Sequence, residues 1–305
     1  MFASIDETGA ALERAGYLPS REIATSVFLA DRLDKPVLVE GAAGVGKTDL
    51  ARAIAQAAGL PLLRLQCYEG LDEAKALYEW EYAKQLLYTQ LLRDKLQETL
   101  AGTASLAEAA DRIAKSDAVF FSERFLLPRP ILKAITSEAP VLLLVDEIDK
   151  ADPEFEALLL EILSDFTVTV PELGTFRARH LPHVVLTSNN ARELSDALKR
   201  RCLHLYIDFP DAARELAILR TRVPGLPEAL GAAVAAAVAK IRTMEMKKAP
   251  SIAESIDWAR ALLLLGAQRL DAALVKETLS FLLKYESDLA RAREQLPEIL
   301  AAQVS

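Results

Sequence analysis

The chain has 305 residues, of which 51% are hydrophobic and 26% are charged. This length allows about two domains with a sizeable core, and the composition is ordinary for a globular protein. The formal net charge of -8 argues against a general affinity for nucleic acid, which requires a basic surface. Cys67 and Cys202 are the only cysteines and lie far apart, so we expect no disulfide framework and a reducing compartment.

The start of the chain has no basic segment followed by an apolar one, so no signal peptide is expected. Apolar runs such as residues 141–145 and 261–265 are far too short to cross a bilayer. We therefore expect a cytoplasmic protein without membrane insertion.

Two helices are predicted before the first strand. Residues 5–15 form the first, and Ser20 is a suitable N-cap for the second, over residues 21–33. Tyr17 and Leu18 lie in the short turn between these helices.

The most specific motif is a complete G-x-x-x-x-G-K-[ST] phosphate loop, made by Gly41, Ala42, Ala43, Gly44, Val45, Gly46, Lys47 and Thr48. Its context is the required one, because residues 36–40 have the pattern of a buried strand and residues 49–58 that of a helix. Glycines let backbone N–H groups surround a phosphate chain, and the helix N-terminus favours negative charge. Lys47 is predicted to reach the β- and γ-phosphates, and Thr48 to hold Mg²⁺.

Three residues outside the loop complete the predicted nucleotide contacts. Asp49 directly follows Thr48 and is predicted to lie against the bound nucleotide. Tyr17 and Leu18 allow two interpretations that the sequence does not separate: they pack in the core, or they line an adenine pocket beside the loop.

The stretch after the loop is unusually long, because Lys47 and Asp146 are 99 residues apart (146 − 47). One helix and one strand cannot fill it, so an insertion is predicted at about residues 75–125. Residues 75–100 are predicted to be one helix from the spacing of their apolar side chains. The aromatic residues there favour packing over base stacking.

A second motif, an apolar strand that ends in two carboxylates, follows this insertion. Residues 141–145 are five consecutive apolar residues, which is typical of a strand buried on both faces of a parallel sheet. Asp146 and Glu147 come where that strand ends, at the ligand-binding edge of such sheets. Asp146 is predicted to hold Mg²⁺ together with Thr48. Glu147 is suited to act as the base that polarises an attacking water molecule.

Residues 41–48 followed by residues 141–150 resemble the AAA+ ATPases. Within them the chain is similar to the MoxR family, closest to the CoxD type that is encoded with carbon monoxide dehydrogenase, and the resemblance covers essentially the whole chain. It implies an α/β P-loop core, about residues 1–209, with a parallel sheet of strand order 5-1-4-3-2. A C-terminal α-helical lid, about residues 210–305, would follow.

The same resemblance implies an activity and partners. The expected activity is hydrolysis of ATP with Mg²⁺ by a homo-oligomeric ring, a hexamer, that works as a chaperone on a client protein. The client would be a molybdenum-containing carbon monoxide dehydrogenase during assembly of its metal cofactor. A protein with a von Willebrand factor A domain is an expected partner.

Turn chemistry inside residues 166–180 predicts a hairpin, which MoxR-like proteins have before their sensor strand. The strand over residues 183–189 ends in Asn189, which matches sensor 1 better than the asparagine that follows it. The resemblance implies that this amide hydrogen-bonds the γ-phosphate or the attacking water. Arg201 matches the arginine finger that reaches into the neighbouring subunit, better than Arg200 does; a planar permanent charge suits a transferring phosphoryl group.

One feature departs from the family pattern. Where a sensor 2 arginine is usual, the chain has residues 251–255, in which Ser251 and Glu254 form a capping box instead. Lys247, Lys248 and Arg260 are open alternatives for this charge.

Two other functions share parts of this pattern. A small-molecule kinase needs the phosphate loop but not Glu147, Asn189 or Arg201. An AAA+ ATPase acting on nucleic acid shares all three, but the acidic balance argues against it. GTP is disfavoured because the sequence has no N-K-x-D run.

Overall fold

The computed structural model of the chain describes residues 1–91 and 122–302. Much of the predicted insertion, residues 92–121, lies outside the described residues. The strands of the described part, in chain order, are β1 Val37–Glu40, β2 Leu62–Gln66, β3 Tyr78–Trp80, β4 Leu126–Pro128, β5 Leu142–Asp146, β6 Thr167–Val170, β7 Gly174–Arg177, β8 His183–Ser188 and β9 Leu203–Tyr206.

Helices alternate with these strands and then form the whole C-terminal part. In the described residues they are α1 Ile5–Arg14, α2 Arg21–Leu33, α3 Lys47–Ala58, α4 Glu73–Leu77, α5 Tyr82–Leu91, α6 Pro130–Ile135, α7 Pro153–Asp165, α8 Asp196–Arg201, α9 Ala212–Arg222, α10 Glu228–Arg242, α11 Ile252–Leu264, α12 Ala272–Thr278, α13 Glu286–Glu294 and α14 Leu296–Ala301. None of them is both long and apolar enough to cross a membrane.

The central sheet is parallel, with five strands in the order β2-β5-β8-β1-β9. When these five strands are numbered 1 to 5 in chain order and read from the β9 edge, their order is 5-1-4-3-2. The predicted strand order is therefore confirmed. All five residues of β5 are buried, because helices pack on both faces of the sheet and form a separate apolar cluster on each face. The carboxyl ends of β1, β5 and β8 therefore meet at one edge, where ligands bind in such sheets.

The prediction of one helix over residues 75–100 is wrong in the part that the structure describes. Helix α4 ends at Leu77, and the next three residues form β3, which pairs antiparallel with β4. Trp80 is only 8% exposed, and its ring meets that of Tyr78 edge-on with centroids 6.0 Å apart. Pairing with a strand more than forty residues further along the chain overrides the local helical spacing.

The hairpin β6–β7 follows α7 directly. Phe166 ends α7 in the left-handed conformation, with φ of 49°, which turns the chain away from the helix axis. Val168 and Val170 of β6 are buried in the core, whereas Gly174 and Thr175 are exposed. The hairpin is thus anchored on one side and open at its turn.

The C-terminal helical part has its own apolar core, formed by side chains of α9 to α14 around the fully buried Trp258. The Trp258 indole donates to Thr278 Oγ1 at 2.7 Å. Arg242 and Glu215 form a buried ion pair, and Arg242 Nε also donates to the carbonyl of Pro250 at 2.9 Å. These contacts fix the segment that leads into α11, whose start lies against the phosphate loop.

Candidate active site

The phosphate loop joins β1 to α3 and is approached closely from two sides. Gly41 has φ of 152°, and a Cβ atom there would lie 2.0 Å from the carbonyl oxygen of Ile207. Gly44 has φ of 81°, and a Cβ atom there would lie 2.2 Å from Cβ of Ser251, just before α11. Only glycine tolerates this combination of positive φ and close approach. The helical part therefore sits directly on the loop.

Lys47 lies at the centre of the site. Its ammonium group donates to the carbonyls of Gly41 and Ala42 at 2.8 and 2.7 Å and to Oδ1 of Asn189 at 2.7 Å. These three bonds use all the donors of an ammonium ion. Burial lowers the pKa of Lys47, while the nearby carboxylates of Asp149 and Glu147 act in the opposite direction.

Asp146 ends β5 and is only 1% exposed. Its Oδ1 accepts hydrogen bonds from the hydroxyls of Thr48 and Thr187 at 2.9 and 2.6 Å. Its Oδ2 accepts from Nε and Nη2 of Arg64 at 2.9 and 2.6 Å. The buried carboxylate is thus compensated by one guanidinium and two hydroxyls, as a buried charge requires.

Glu147 stands in the left-handed conformation, with φ of 58°. This turn of the chain sends its carboxylate to the same edge of the sheet as Asp146. Its Oε2 accepts from Lys150 Nζ at 2.7 Å and from Gln66 Nε2 at 2.8 Å. Its Oε1 accepts from Nδ2 of Asn189 at 3.2 Å.

These contacts determine the charge of Glu147. Partial burial alone would raise the pKa of this carboxyl group, but hydrogen bonds from Lys150 and Asn189 outweigh it, and the pKa is lowered from its ordinary value. Glu147 is therefore ionised at neutral pH and able to accept a proton or a hydrogen bond from water.

Asn189 directly follows β8 and connects the Lys47 ammonium to the Glu147 carboxylate. Its amide oxygen accepts from Lys47 and its amide nitrogen donates to Glu147, while its backbone N–H donates to Asp149 Oδ2 at 3.1 Å. The same Asp149 oxygen accepts from the backbone N–H of Ala191 at 2.9 Å. Asp149 was not predicted to be a site residue, although it belongs to the acidic segment 146–149. Its buried carboxylate holds the turn after β8 in place.

Two further residues come from β2, which pairs with β5 in parallel register, Gln66 beside Asp146. Arg64 contacts Asp146, and Gln66 contacts Glu147. Neither residue was predicted from the sequence. Polar side chains with period two at the end of the second strand were the available signal, because strands β2 and β5 end at the same edge of the sheet.

A pocket beside the loop is lined by Tyr17, Leu18, Val45, Ile207, Pro210 and Arg214, among others. Arg214 Nη2 donates to the carbonyl of Leu18 at 2.9 Å. Burial raises the pKa of Tyr17 to about 12, so its hydroxyl stays protonated. The turn between α1 and α2 thus lies next to the loop, where the alternative of an adenine pocket requires it.

Arg201 is not part of this cluster. It ends α8, is exposed, and its Nε donates to Ser164 Oγ at 2.9 Å. Lys247, Lys248 and Arg260 do not line the pocket around the loop either, which Arg222, Ile252, Ala253 and Ile256 border from the helical part.

The residues present fit a nucleotide with Mg²⁺. The Thr48 hydroxyl and the Asp146 carboxylate lie 2.9 Å apart and are the hard oxygen ligands that Mg²⁺ prefers. Backbone N–H groups at the start of α3 and the buried ammonium of Lys47 fit phosphate oxygens.

A family model described as AAA domain (dynein-related subfamily) matches residues 36–202, and no curated protein matches. Among solved structures, the RuvB Holliday junction branch migration motor of Thermotoga maritima is 14% identical, with 85% of this chain and 67% of that chain covered and a TM-score of 0.46. A proline-to-glycine mutant of RuvB from the same organism is 15% identical, with 85% and 68% covered and a TM-score of 0.48.

The phosphate loop, the five-stranded parallel sheet and the helical C-terminal part define an AAA+ P-loop ATPase domain. The matched segment is more than half of the 305 residues, and the chain belongs to the AAA domain family, in its dynein-related subfamily.

Proposed function

We propose that this protein hydrolyses ATP, with Mg²⁺, and uses the energy to remodel a client protein. The observation that carries the proposal is the connected network in which Asn189 joins the Lys47 ammonium to the Glu147 carboxylate. A simple kinase needs no residue that activates water, because its acceptor substrate supplies the nucleophile. A base beside the phosphates fits the activation of water.

Each residue has a role in this proposal. The loop, residues 41–48, binds the phosphates, Asp49 lies against the nucleotide, and Tyr17 and Leu18 line the adenine pocket. Thr48 and Asp146 hold Mg²⁺, which when bound neutralises charge on the phosphate oxygens. Glu147 orients the attacking water and accepts its proton. Asn189 holds Glu147 and Lys47 at a fixed separation and positions them toward the terminal phosphate.

The biological role rests on the resemblance to the MoxR family and its CoxD type. We infer a cytoplasmic chaperone that forms a homohexameric ring, with a core at about residues 1–209 and a lid at about residues 210–305. Its client is a molybdenum-containing carbon monoxide dehydrogenase during maturation, and a von Willebrand factor A domain protein assists it. The net charge of -8 supports a protein client over nucleic acid.

The client is tested by affinity capture with Glu147→Gln, which should hold ATP without turnover and so prolong the client complex. We expect a metalloenzyme subunit to be recovered with ATP and Mg²⁺. Lys47→Ala is the matched control, because it should not bind ATP and should recover none. Recovery of nucleic acid would favour the second AAA+ interpretation. A small molecule phosphorylated by the wild-type protein would favour the kinase.

The metal site is tested by Arg64→Met. Losing the guanidinium leaves the buried Asp146 carboxylate with neutral partners, so the nucleotide-free protein should lose about 1–3 kcal/mol of unfolding free energy. Mg²⁺ with ADP should restore much of this loss, because a cation again faces Asp146. Urea unfolding with and without Mg²⁺-ADP measures both.

Arg129→Met is the control for this experiment. It removes only an exposed ion pair with Glu79 and should change the free energy of unfolding little in either condition. An equal loss for Arg64→Met with and without Mg²⁺-ADP would contradict the assignment of Asp146 to the metal.

A further inference from the structure

Arg222 is the charged side chain of the helical part that lines both pockets beside the phosphate loop. In the described residues, the pocket around the phosphate loop is bordered from the helical part by Arg222 and by three apolar residues, Ile252, Ala253 and Ile256. Arg222 also lines the pocket of Tyr17. It therefore lies where the two pockets join, between the proposed adenine pocket and the phosphate loop.

Arg222 is the last residue of α9, and its Nη2 donates to Asp49 Oδ2 at 3.0 Å. The two side chains are 39% and 36% exposed. An ion pair this exposed is weak, since water competes for both charges. A phosphate chain carries several negative charges and accepts two parallel hydrogen bonds from a guanidinium, so it is a stronger partner than a single carboxylate.

Arg214, which lines the pocket of Tyr17, donates to the carbonyl of Leu18 at 2.9 Å, and the three cations considered in place of sensor 2 are also engaged elsewhere. The ammonium of Lys247 lies over the Tyr285 ring, 4.2 Å from its centroid, and Lys248 forms an ion pair within the helical part. Arg260 Nη2 donates to the backbone carbonyl of Arg222 at 3.3 Å. Arg260 thus steadies the end of α9 and leaves the guanidinium of Arg222 as the group that faces the site.

The helical part is also held to the loop by its backbone. The N–H of Ile252 donates to the carbonyl of Gly44 at 3.0 Å, and Ser251 fills the space beside Gly44. This contact replaces the long side chain that sensor 2 would place at the start of α11. The start of α11 is in turn joined to α9, because Arg242 donates to the carbonyl of Pro250 and forms a buried ion pair with Glu215.

We propose that Arg222 is a nucleotide-binding residue carried by the lid. When a nucleotide binds, Arg222 leaves Asp49 and binds the phosphate chain at the end next to the adenine. It thereby closes the lid on ATP and ADP alike. This inference rests on the proposed function, because it takes the pocket to be a nucleotide site.

Arg222→Met should weaken binding of both ATP and ADP by about 10- to 100-fold, since it removes hydrogen bonds to a charged group. Adenosine, which has no phosphate, should bind as it does to the wild type, whereas damage to the pocket would weaken it too. Arg222→Lys should recover part of the loss. Arg220→Met, which removes a surface pair with Glu228 on the same helix, is the matched control and should match the wild type. Calorimetry measures the nucleotides, and ligand-observed NMR measures adenosine.

The exchange of partners is tested by a double-mutant cycle. Asp49→Asn should tighten ADP binding several-fold because it frees Arg222, and this gain should largely vanish in the Arg222→Met background. An equal gain in both backgrounds, unchanged ADP binding by Arg222→Met, or equal loss of adenosine and ADP would each overturn the inference. A wild-type protein that binds neither ATP nor ADP would instead overturn the proposed function, and the inference with it.

Discussion

Glu147→Gln is expected to bind ATP with Mg²⁺ as the wild type does and to hydrolyse it at least about 100-fold more slowly, the range of general base catalysis. The amide has nearly the shape of the carboxylate and keeps an oxygen for Asn189, but it cannot accept a proton from water. Lys47→Ala should differ in kind, because it removes the buried cation and with it ATP binding. Equilibrium binding and single-turnover hydrolysis separate the two defects.

Glu154→Gln is a suitable control, because it makes the same chemical change away from the site. Glu154 is an exposed residue in the first turn of α7. This variant should hydrolyse ATP at the wild-type rate. A normal rate for Glu147→Gln would show that another group activates the water.

Arg201→Ala should leave ATP binding intact and lower turnover by about 10³- to 10⁵-fold, as the removal of an arginine finger does in comparable systems. Within its own chain Arg201 bonds Ser164 and lies apart from the phosphate loop. We therefore expect it to act on the nucleotide of a neighbouring subunit. Hydrolysis per subunit should rise with protein concentration as rings form.

Mixing two inactive variants tests this arrangement directly. Rings that contain both Arg201→Ala and Lys47→Ala subunits have some interfaces with an intact loop and an intact arginine, so activity should reappear on mixing. Arg200→Ala is the control, because Arg200 is the exposed neighbour at the end of the same helix and should keep its turnover. An inactive mixture with verified co-assembly, or full activity in dilute monomer, would exclude the shared site.

Local chemistry made several features predictable from the sequence alone. The phosphate loop, the buried β5 and the capping box at α11 depend on residues close together in the chain. The capping box is confirmed in both directions, with the Glu254 N–H bonded to Ser251 Oγ and the Ser251 N–H bonded to Glu254 Oε2. Resemblance supplied the strand order, which the sheet confirms.

Only the tertiary structure decided the features that join distant parts of the chain. The segment at Trp80 became a strand because β4 pairs with it, which helical spacing cannot reveal. Arg64 reached Asp146, 82 residues further on, because β2 and β5 are neighbours in register. Arg222 reached Asp49 because the helical part packs onto the loop. In each case the partner is set by the packing of elements, so a side chain's own sequence neighbourhood does not identify that partner.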